Sequence, residues 1–212
     1  MKIQMLISVS ALLLLASCSQ TPGVPFNPLG VSQWRAGEPQ WFGNNATVKV
    51  APLSLGDSLA KKALGAYTGD NKPTALLKID YDNSKTPDGQ YYKAYAMNAF
   101  KSPQDYSKAA TLTFQLYNNT TDTIKAAFAL MTGEPKEWQE SSALEVKPGW
   151  NTLVFDLKAS TFKAERSGWA SNLTLRNMNQ LREVGLLIYP NQKITGTVLS
   201  DVPVLKNTGD AN

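Results

Sequence analysis

Apolar and polar residues alternate along most of this chain in short runs, and each run is closed by a cluster of turn-forming residues. The stretch 145–157, EVKPGWNTLVFDL, shows the pattern most clearly: Leu153, Phe155 and Leu157 fall on one face while Thr152, Val154 and Asp156 fall on the other. That is the period-2 signature of a strand packed on one side. Ahead of it, Pro148-Gly149 is a turn dipeptide, because proline presets φ at the second turn position and glycine supplies the positive φ that a type II turn needs at the third. The same reading predicts strands over 47–50, 74–81, 90–100, 111–117, 124–131, 184–189 and 196–205. Strands 74–81 and 90–100, joined by the turn-rich 83–89, are expected to form a hairpin. The segment 133–142 reads as a polar loop that carries Trp138 and returns the chain to a hairpin at 148–151. Helix signals are few: Asp57 and Ser58 can cap a short helix over 60–64 that Gly65 stops, and 177–182 can make one helical turn. Roughly eight or nine antiparallel strands with little helix predict an all-β fold, a β-sandwich of jelly-roll type.

The alternation also assigns faces. On 90–100 one face reads Tyr91, Lys93, Tyr95 and Met97. On 111–117 the core takes Leu112, Phe114 and Leu116, which sends Thr111, Thr113, Gln115 and Tyr117 outward; on 184–189 the outward set is Gly185, Leu187 and Tyr189. Outward faces that mix Tyr, Lys, Gln and Thr suit sugar recognition, since aromatic rings stack on pyranose C–H surfaces and amides and hydroxyls pair with sugar hydroxyls. They equally suit a solvated or loop-covered sheet face, because tyrosine is common in ordinary strands. The candidate ligand-binding residues are Lys93, Tyr95, Gln115, Tyr117, Trp138 and Tyr189. Tyr95 is expected to meet Gln115 and Tyr117 from another strand, with Trp138 closing one end of the groove. Trp150, beside the turn, is expected to cap the sandwich, and Trp34, Trp41 and Phe42 to seal one end of it.

Composition narrows the chemistry. With 212 residues, 42% of them hydrophobic and 18% charged, the chain fits one domain, placed at 31–206. A net charge of +4, scattered without a Lys/Arg run, gives no reason to expect a nucleic-acid partner. Histidine is absent, which excludes Ser-His-Asp, Cys-His and His-zinc centres. An enzyme would have to work with carboxylates, and Glu134, Glu137 and Glu140 lie on one short stretch rather than facing each other across a scissile bond; they are read as a solvated loop. No catalytic residue is assigned. Lys2 and the apolar 5–15, too short for a membrane span of ~20 residues, read as a secretory signal over 1–17. The polar, proline-containing 18–30 reads as a tether and 207–212 as a flexible tail.

Two resemblances follow from particular residues. Leu15-Ala16-Ser17-Cys18 resembles the bacterial lipobox, which implies that Cys18 is lipidated, with acyl chains such as palmitate, and becomes the first residue of the mature protein. With Ser19 next, that implies a lipoprotein held in the cell envelope, at the outer membrane if the cell is Gram-negative. The turn Pro148-Gly149-Trp150-Asn151, the loop Asp105-Tyr106-Ser107 and Ser200-Asp201-Val202 together resemble β-jelly-roll carbohydrate-binding modules and related galactose-binding-like domains over most of 76–205. The resemblance implies a carbohydrate or cell-envelope polymer as partner, bound without catalysis. By the same resemblance Asp201 stands where such domains hold a structural calcium, with Glu38 as a second acid; no other cofactor is expected. The alternative is an envelope assembly subunit that uses the scaffold to hold a protein partner.

Overall fold

The computed structural model describes residues 24–25, 34–36, 47–70, 72–86, 88, 93–201 and 203–208. The signal segment 1–17, Cys18, Glu38, Trp41, Phe42 and Tyr91 lie outside the described residues. In chain order the strands are β1 (Val24–Pro25), β2 (Arg35–Ala36), β3 (Thr47–Leu53), β4 (Leu76–Asp82), β5 (Ala94–Gln104), β6 (Ala109–Asn118), β7 (Ile124–Thr132), β8 (Glu137–Ser141), β9 (Leu144–Val146), β10 (Gly149–Asp156), β11 (Phe162–Lys163), β12 (Leu181–Tyr189), β13 (Thr195–Ser200) and β14 (Val204–Asn207). The helix α1 spans Ser58–Gly65 between β3 and β4.

The strands form two antiparallel sheets. The first runs β1-β14-β6-β13-β4-β3, with β10 on the far side of β6; the second runs β11-β8-β7-β12-β5-β2, with β9 also on β7. The fold is thus the expected all-β sandwich. Its centre is aromatic: Phe114 from the first sheet meets Phe155 at 6.3 Å, and Phe128 from the second meets Phe155 at 5.4 Å and Phe162 at 6.1 Å. Burying one such ring stabilises the fold by about 1.5–3 kcal/mol. Leu112, Leu116, Val184, Leu186 and Ile188, the alternate positions that the pattern assigned to the core, complete the layer between the sheets together with Ile124 and Leu130.

Local chemistry explains the elements. Asp57 caps α1, its carboxylate accepting from the Leu59 N–H at 2.8 Å. Gly149 has φ +88°, as the third position of a type II turn requires. Asn151 then staples the turn, accepting from Lys147 N–H at 2.9 Å and donating to Lys147 O at 2.7 Å and Gly149 O at 2.9 Å. Pro52 lies within β3, which is tolerated because among the described strands β3 pairs only with β4 and ends the order of its sheet.

Several expectations are corrected. Strands 74–81 and 90–100 do not form a hairpin: β4 pairs with β3 and β13, while β5 pairs with β2 and β12 in the other sheet. The turn at 148–149 also changes sheets, since β9 pairs with β7 and β10 with β6. Turn residues signal that the chain reverses, and in a sandwich the reversal can lead to the facing layer. The expected loop 133–142 contains β8, and the expected single strand 196–205 is divided into β13 and β14. Val24–Pro25, expected in the tether, pairs with Val204 and Leu205. Asn207, expected in the tail, is in β14, and Thr208 N–H donates to Lys108 O at 2.8 Å.

Candidate functional site

The six candidate residues divide between the two outer faces of the sandwich. Gln115 and Tyr117 stand on β6 in the first sheet; Tyr95 on β5, Trp138 on β8 and Tyr189 on β12 belong to the second, with Lys93 just before β5. A shared platform of Tyr95, Gln115 and Tyr117 therefore does not form. The cause is the crossing between β4 and β5, which carries Tyr95 to the opposite layer. Nor are the two tyrosines surface groups: Tyr95 is 4% and Tyr117 6% exposed.

On the second sheet four of the candidates do come together. The floor of this face is built from small residues at the middle of the sheet, Ala127 and Ala129 on β7 and Gly185 on β12. Tyr95 lies across that floor, and a Cβ on Gly185 would stand 1.9 Å from its ring, so the glycine is what lets the ring lie flat against the sheet. The Tyr95 hydroxyl donates to Glu183 Oε1 at 2.6 Å. Trp138 packs edge-on against Tyr95 with centroids 5.2 Å apart.

The hub of the cluster is Glu140, two residues beyond Trp138 and on the same side of β8. Its reading as a solvated loop residue is corrected: the carboxylate is almost fully buried. It accepts from Lys93 Nζ at 2.9 Å, Lys163 Nζ at 2.8 Å, Trp138 Nε1 at 3.3 Å and the Tyr189 hydroxyl. Lys93 also lies 5.3 Å from the Tyr189 ring centroid and 5.7 Å from that of Trp138. One carboxylate thus fixes the orientation of two aromatic rings and two cations. Sequence reasoning missed it, although Trp138-Gln139-Glu140 has the i, i+2 spacing that puts ring and acid on one strand face.

The charges explain which forms are present. Burial pushes the Glu140 carboxyl up, but Lys93, Lys163 and Tyr189 outweigh it and hold the group below its ordinary value. For its partner Lys93 the balance is the reverse: burial pulls the ammonium down, Glu140 only partly restores it, and Lys163 repels it. Glu140 has two cations to draw on and Lys93 one carboxylate, so the opposite outcomes for one pair are consistent. Glu183 is raised by burial, against the Tyr95 hydrogen bond, Arg35 and Lys136. Burial, then Glu183, keep the Tyr95 phenol protonated far above neutral pH. With its oxygens engaged, Glu140 serves as an anchor rather than a proton acceptor.

The outer face of the first sheet is organised differently. Helix α1 packs Ala60 and Ala63 over Leu76, Tyr117 and Leu199. Trp150 joins them, its indole N–H donating to Ala63 O at 2.7 Å and its ring contacting Tyr67 at 5.1 Å and Tyr117 at 5.4 Å. Tyr117 is consequently roofed by helix and indole, and Trp150, expected to cap the sandwich, instead packs with α1 on the outer face of the first sheet. Gln115 lies further along β6 and accepts from the Thr152 hydroxyl at 2.9 Å. Asp201, the candidate calcium ligand, follows β13, its N–H donating to Gln115 O at 3.0 Å. Among the described residues no three His, Cys, Asp or Glu side chains gather. No helix among the described residues is long and apolar enough to cross a membrane.

No family model matches this sequence, and no curated protein matches it either. Solved structures do resemble the fold. The family 11 carbohydrate-binding module of the cellulosomal cellulase Lic26A-Cel5E of Clostridium thermocellum superposes with a TM-score of 0.51 at 14% identity, covering 86% of this chain and 92% of the module. A family 11 module from the same organism, solved in complex with a β-1,3-1,4-mixed-linked tetrasaccharide, gives 0.51 at 14% identity, covering 87% of this chain and 95% of that one. An exo-β-agarase gives 0.53 at 12% identity, covering 89% of this chain but only 25% of the agarase. The chain has a β-sandwich fold like that of carbohydrate-binding modules.

Proposed function

We propose that this protein is a lipid-anchored component of the cell envelope whose sandwich binds a glycan or related polymer without catalysis, at the outer face of the second sheet. The observation that carries the reading is the half-buried pair Trp138 and Tyr189, held in place by Glu140 with Lys93 and Lys163 around them. Rings that are already fixed lose little conformational freedom when a sugar stacks on them, and adjacent ammonium groups can donate to its hydroxyls. The likeness to modules, one of them solved with a mixed-linked tetrasaccharide, supports a saccharide as the ligand class. The lipobox-like residues before Cys18 support the anchor.

A glycan array probed with the detergent-purified full chain, followed by calorimetry on the glycan selected, tests the binding reading. Trp138→Ala should weaken binding roughly tenfold, about 1.4 kcal/mol, with unchanged circular dichroism. Undiminished affinity in the folded variant moves the site off this face. Cys18→Ser tests the anchor: the variant should stay unprocessed or leave the membrane fraction. Normal processing with full membrane retention through detergent-free washing removes the lipoprotein reading.

A further inference from the structure

One end of the sandwich gathers three features that the glycan reading does not use. It is the end at which β5 and β10 finish, β6 begins and β7 turns into β8, with Gln104 opposite Leu181, Asp156 opposite Thr111 and Thr132 opposite Glu137. The chain also enters here. β1 is antiparallel to β14, with Val24 opposite Leu205 and Pro25 opposite Val204, so Val24 is approached from the Asn207 end of β14. Asn207 in turn pairs with Ala109 at the start of β6. Cys18 stands six positions ahead of Val24, a stretch that spans about 20 Å at full extension. β5, with 11 residues, is about 36 Å long. A membrane holding a lipid on Cys18 is therefore within reach of this end and out of reach of the opposite one.

The second feature is charge. Lys101, Lys108, Lys136, Lys158 and Arg176 are exposed at this end, and Lys206 is half-exposed. None of the six is in an ion pair among the described residues. Arg182 and Arg166 are already paired, with Glu134 and Glu137. Against the six stand Asp105, Asp156, Glu165 and the half-buried Glu183, so positive charge is in excess.

The third feature is Trp169. The turn that carries it is tied to the first residue of β8, Arg166 Nη1 donating to Glu137 Oε1 at 2.7 Å while Nη2 donates to Thr174 O at 3.0 Å. Within the turn, Gly168 N–H donates to Glu165 O at 2.8 Å and Trp169 N–H to Ala164 O at 3.1 Å. These bonds hold Trp169 at φ +66°, in the left-handed region that residues other than glycine seldom occupy. The core gains nothing from it: the residue is 52% exposed, and among the described residues its indole has no hydrogen bond or ring contact. Backbone strain of this kind collects where a surface is built for contact.

The three features together select the occupant. A sugar would account for the indole but not for the cations or the short tether, whereas a bilayer accounts for all three. Tryptophan settles at the boundary between headgroups and acyl chains, and lysine and arginine are drawn to anionic headgroups. We infer that this end of the sandwich docks on the membrane that carries the Cys18 lipid, with Trp169 at the interface and the basic residues against anionic headgroups. The inference rests on the anchor reading, and it leaves the outer face of the second sheet standing clear of the bilayer.

The test places the lipidated full chain in vesicles of phosphatidylcholine and phosphatidylglycerol whose acyl chains carry bromine, which quenches tryptophans that enter the bilayer surface. The parent should lose part of its tryptophan emission, and that quenched part should be missing in Trp169→Phe. High salt, or phosphatidylcholine alone, should reduce the quenching severalfold. Lys158→Gln should lower the ratio of docked to undocked protein about fivefold. Flotation separates the two readings. A chain that does not float with the vesicles lacks the anchor, and the docking falls with it; a chain that floats but is quenched no more than Trp169→Phe keeps the anchor and overturns the docking alone. Quenching that is equal on phosphatidylcholine alone overturns the part given to the basic residues. Unquenched Trp169 together with lost affinity for the array-selected glycan in Trp169→Ala makes this end a sugar site and overturns the inference.

Discussion

The two outer faces of the sandwich solve one problem in different ways. Each carries aromatic side chains that would otherwise stand in water. On the first sheet the solution is apolar: α1 lies over Tyr117 and Leu199, and Trp150 closes the gap by bonding to the helix backbone at Ala63. On the second it is ionic, with Glu140 drawing Lys93, Lys163, Trp138 and Tyr189 around itself above a floor of alanine and glycine. An outward aromatic is thus no sign of a ligand site by itself. Tyr117 and Trp150 are spent on holding a helix, whereas Trp138 and Tyr189 are oriented but only half covered, which makes the second face the better platform.

The largest effect expected from breaking this contrast is at the ionic hub. Glu140→Ala removes the carboxylate and leaves Lys93 buried without its counter-charge, which should cost about 3–5 kcal/mol. Urea denaturation measures it. A loss below about 1 kcal/mol would mean that the cluster is solvated in practice and that its rings are not held. Next is Trp150→Ala, which removes a partly covered indole and a hydrogen bond and should cost about 3 kcal/mol while leaving glycan affinity unchanged. Lost binding with an unchanged melting midpoint would exchange the roles of the two faces.

These faces also mark how far the sequence could be read. The alternation placed Leu112, Phe114 and Leu116 inward, and it put Lys93, Tyr95 and Met97 together on one side, as found. Periodicity records which face a side chain takes, because neighbouring residues along a strand point in opposite directions. It does not record which sheet the strand joins, since that depends on partners far along the chain, such as β12 for β5 and β13 for β4. Hence Tyr95 and Tyr117 could be assigned outward correctly and still be placed on one platform wrongly. Glu140 escaped notice for a related reason: three glutamates within seven residues suggest solvent, and only the arrival of Lys93, just before β5, and Lys163, on β11, makes burial of one of them affordable.

Acid titration should separate the two carboxylates of the second face. Glu140 lies below its ordinary value of 4.5, so its contribution is present above that pH and is lost as pH falls through the depressed value. Glu183 lies above 4.5, so its ionisation in the fold is penalised, and stability rises as pH falls from neutrality toward 4.5. Asp82, Asp88 and Asp105 are also lowered and share the acid limb, so the informative quantity is the difference between variant and parent. Glu183→Gln should flatten the rise above 4.5, and Glu140→Gln should flatten the fall below it. Melting midpoints that track the parent at every pH would mean that neither group is perturbed as described.

The smallest effect should come from Lys163, and it tests whether the hub's two cations are equivalent. Lys163 is 2.8 Å from Glu140 Oε1, as close as Lys93 is to Oε2, but its side chain is 29% exposed against 13%. Water and salt screen the outer pair, which limits its worth to about 1 kcal/mol or less. Its removal also relieves Lys93, whose ammonium is repelled by Lys163, so part of the lost attraction returns as a firmer inner pair. Lys163→Ala should therefore lower the melting midpoint only slightly, and raising the salt concentration should shrink the difference from the parent. A loss comparable to that of Glu140→Ala, insensitive to salt, would show that the outer cation holds the carboxylate, and the rings that depend on it would then be anchored from β11 rather than from β5.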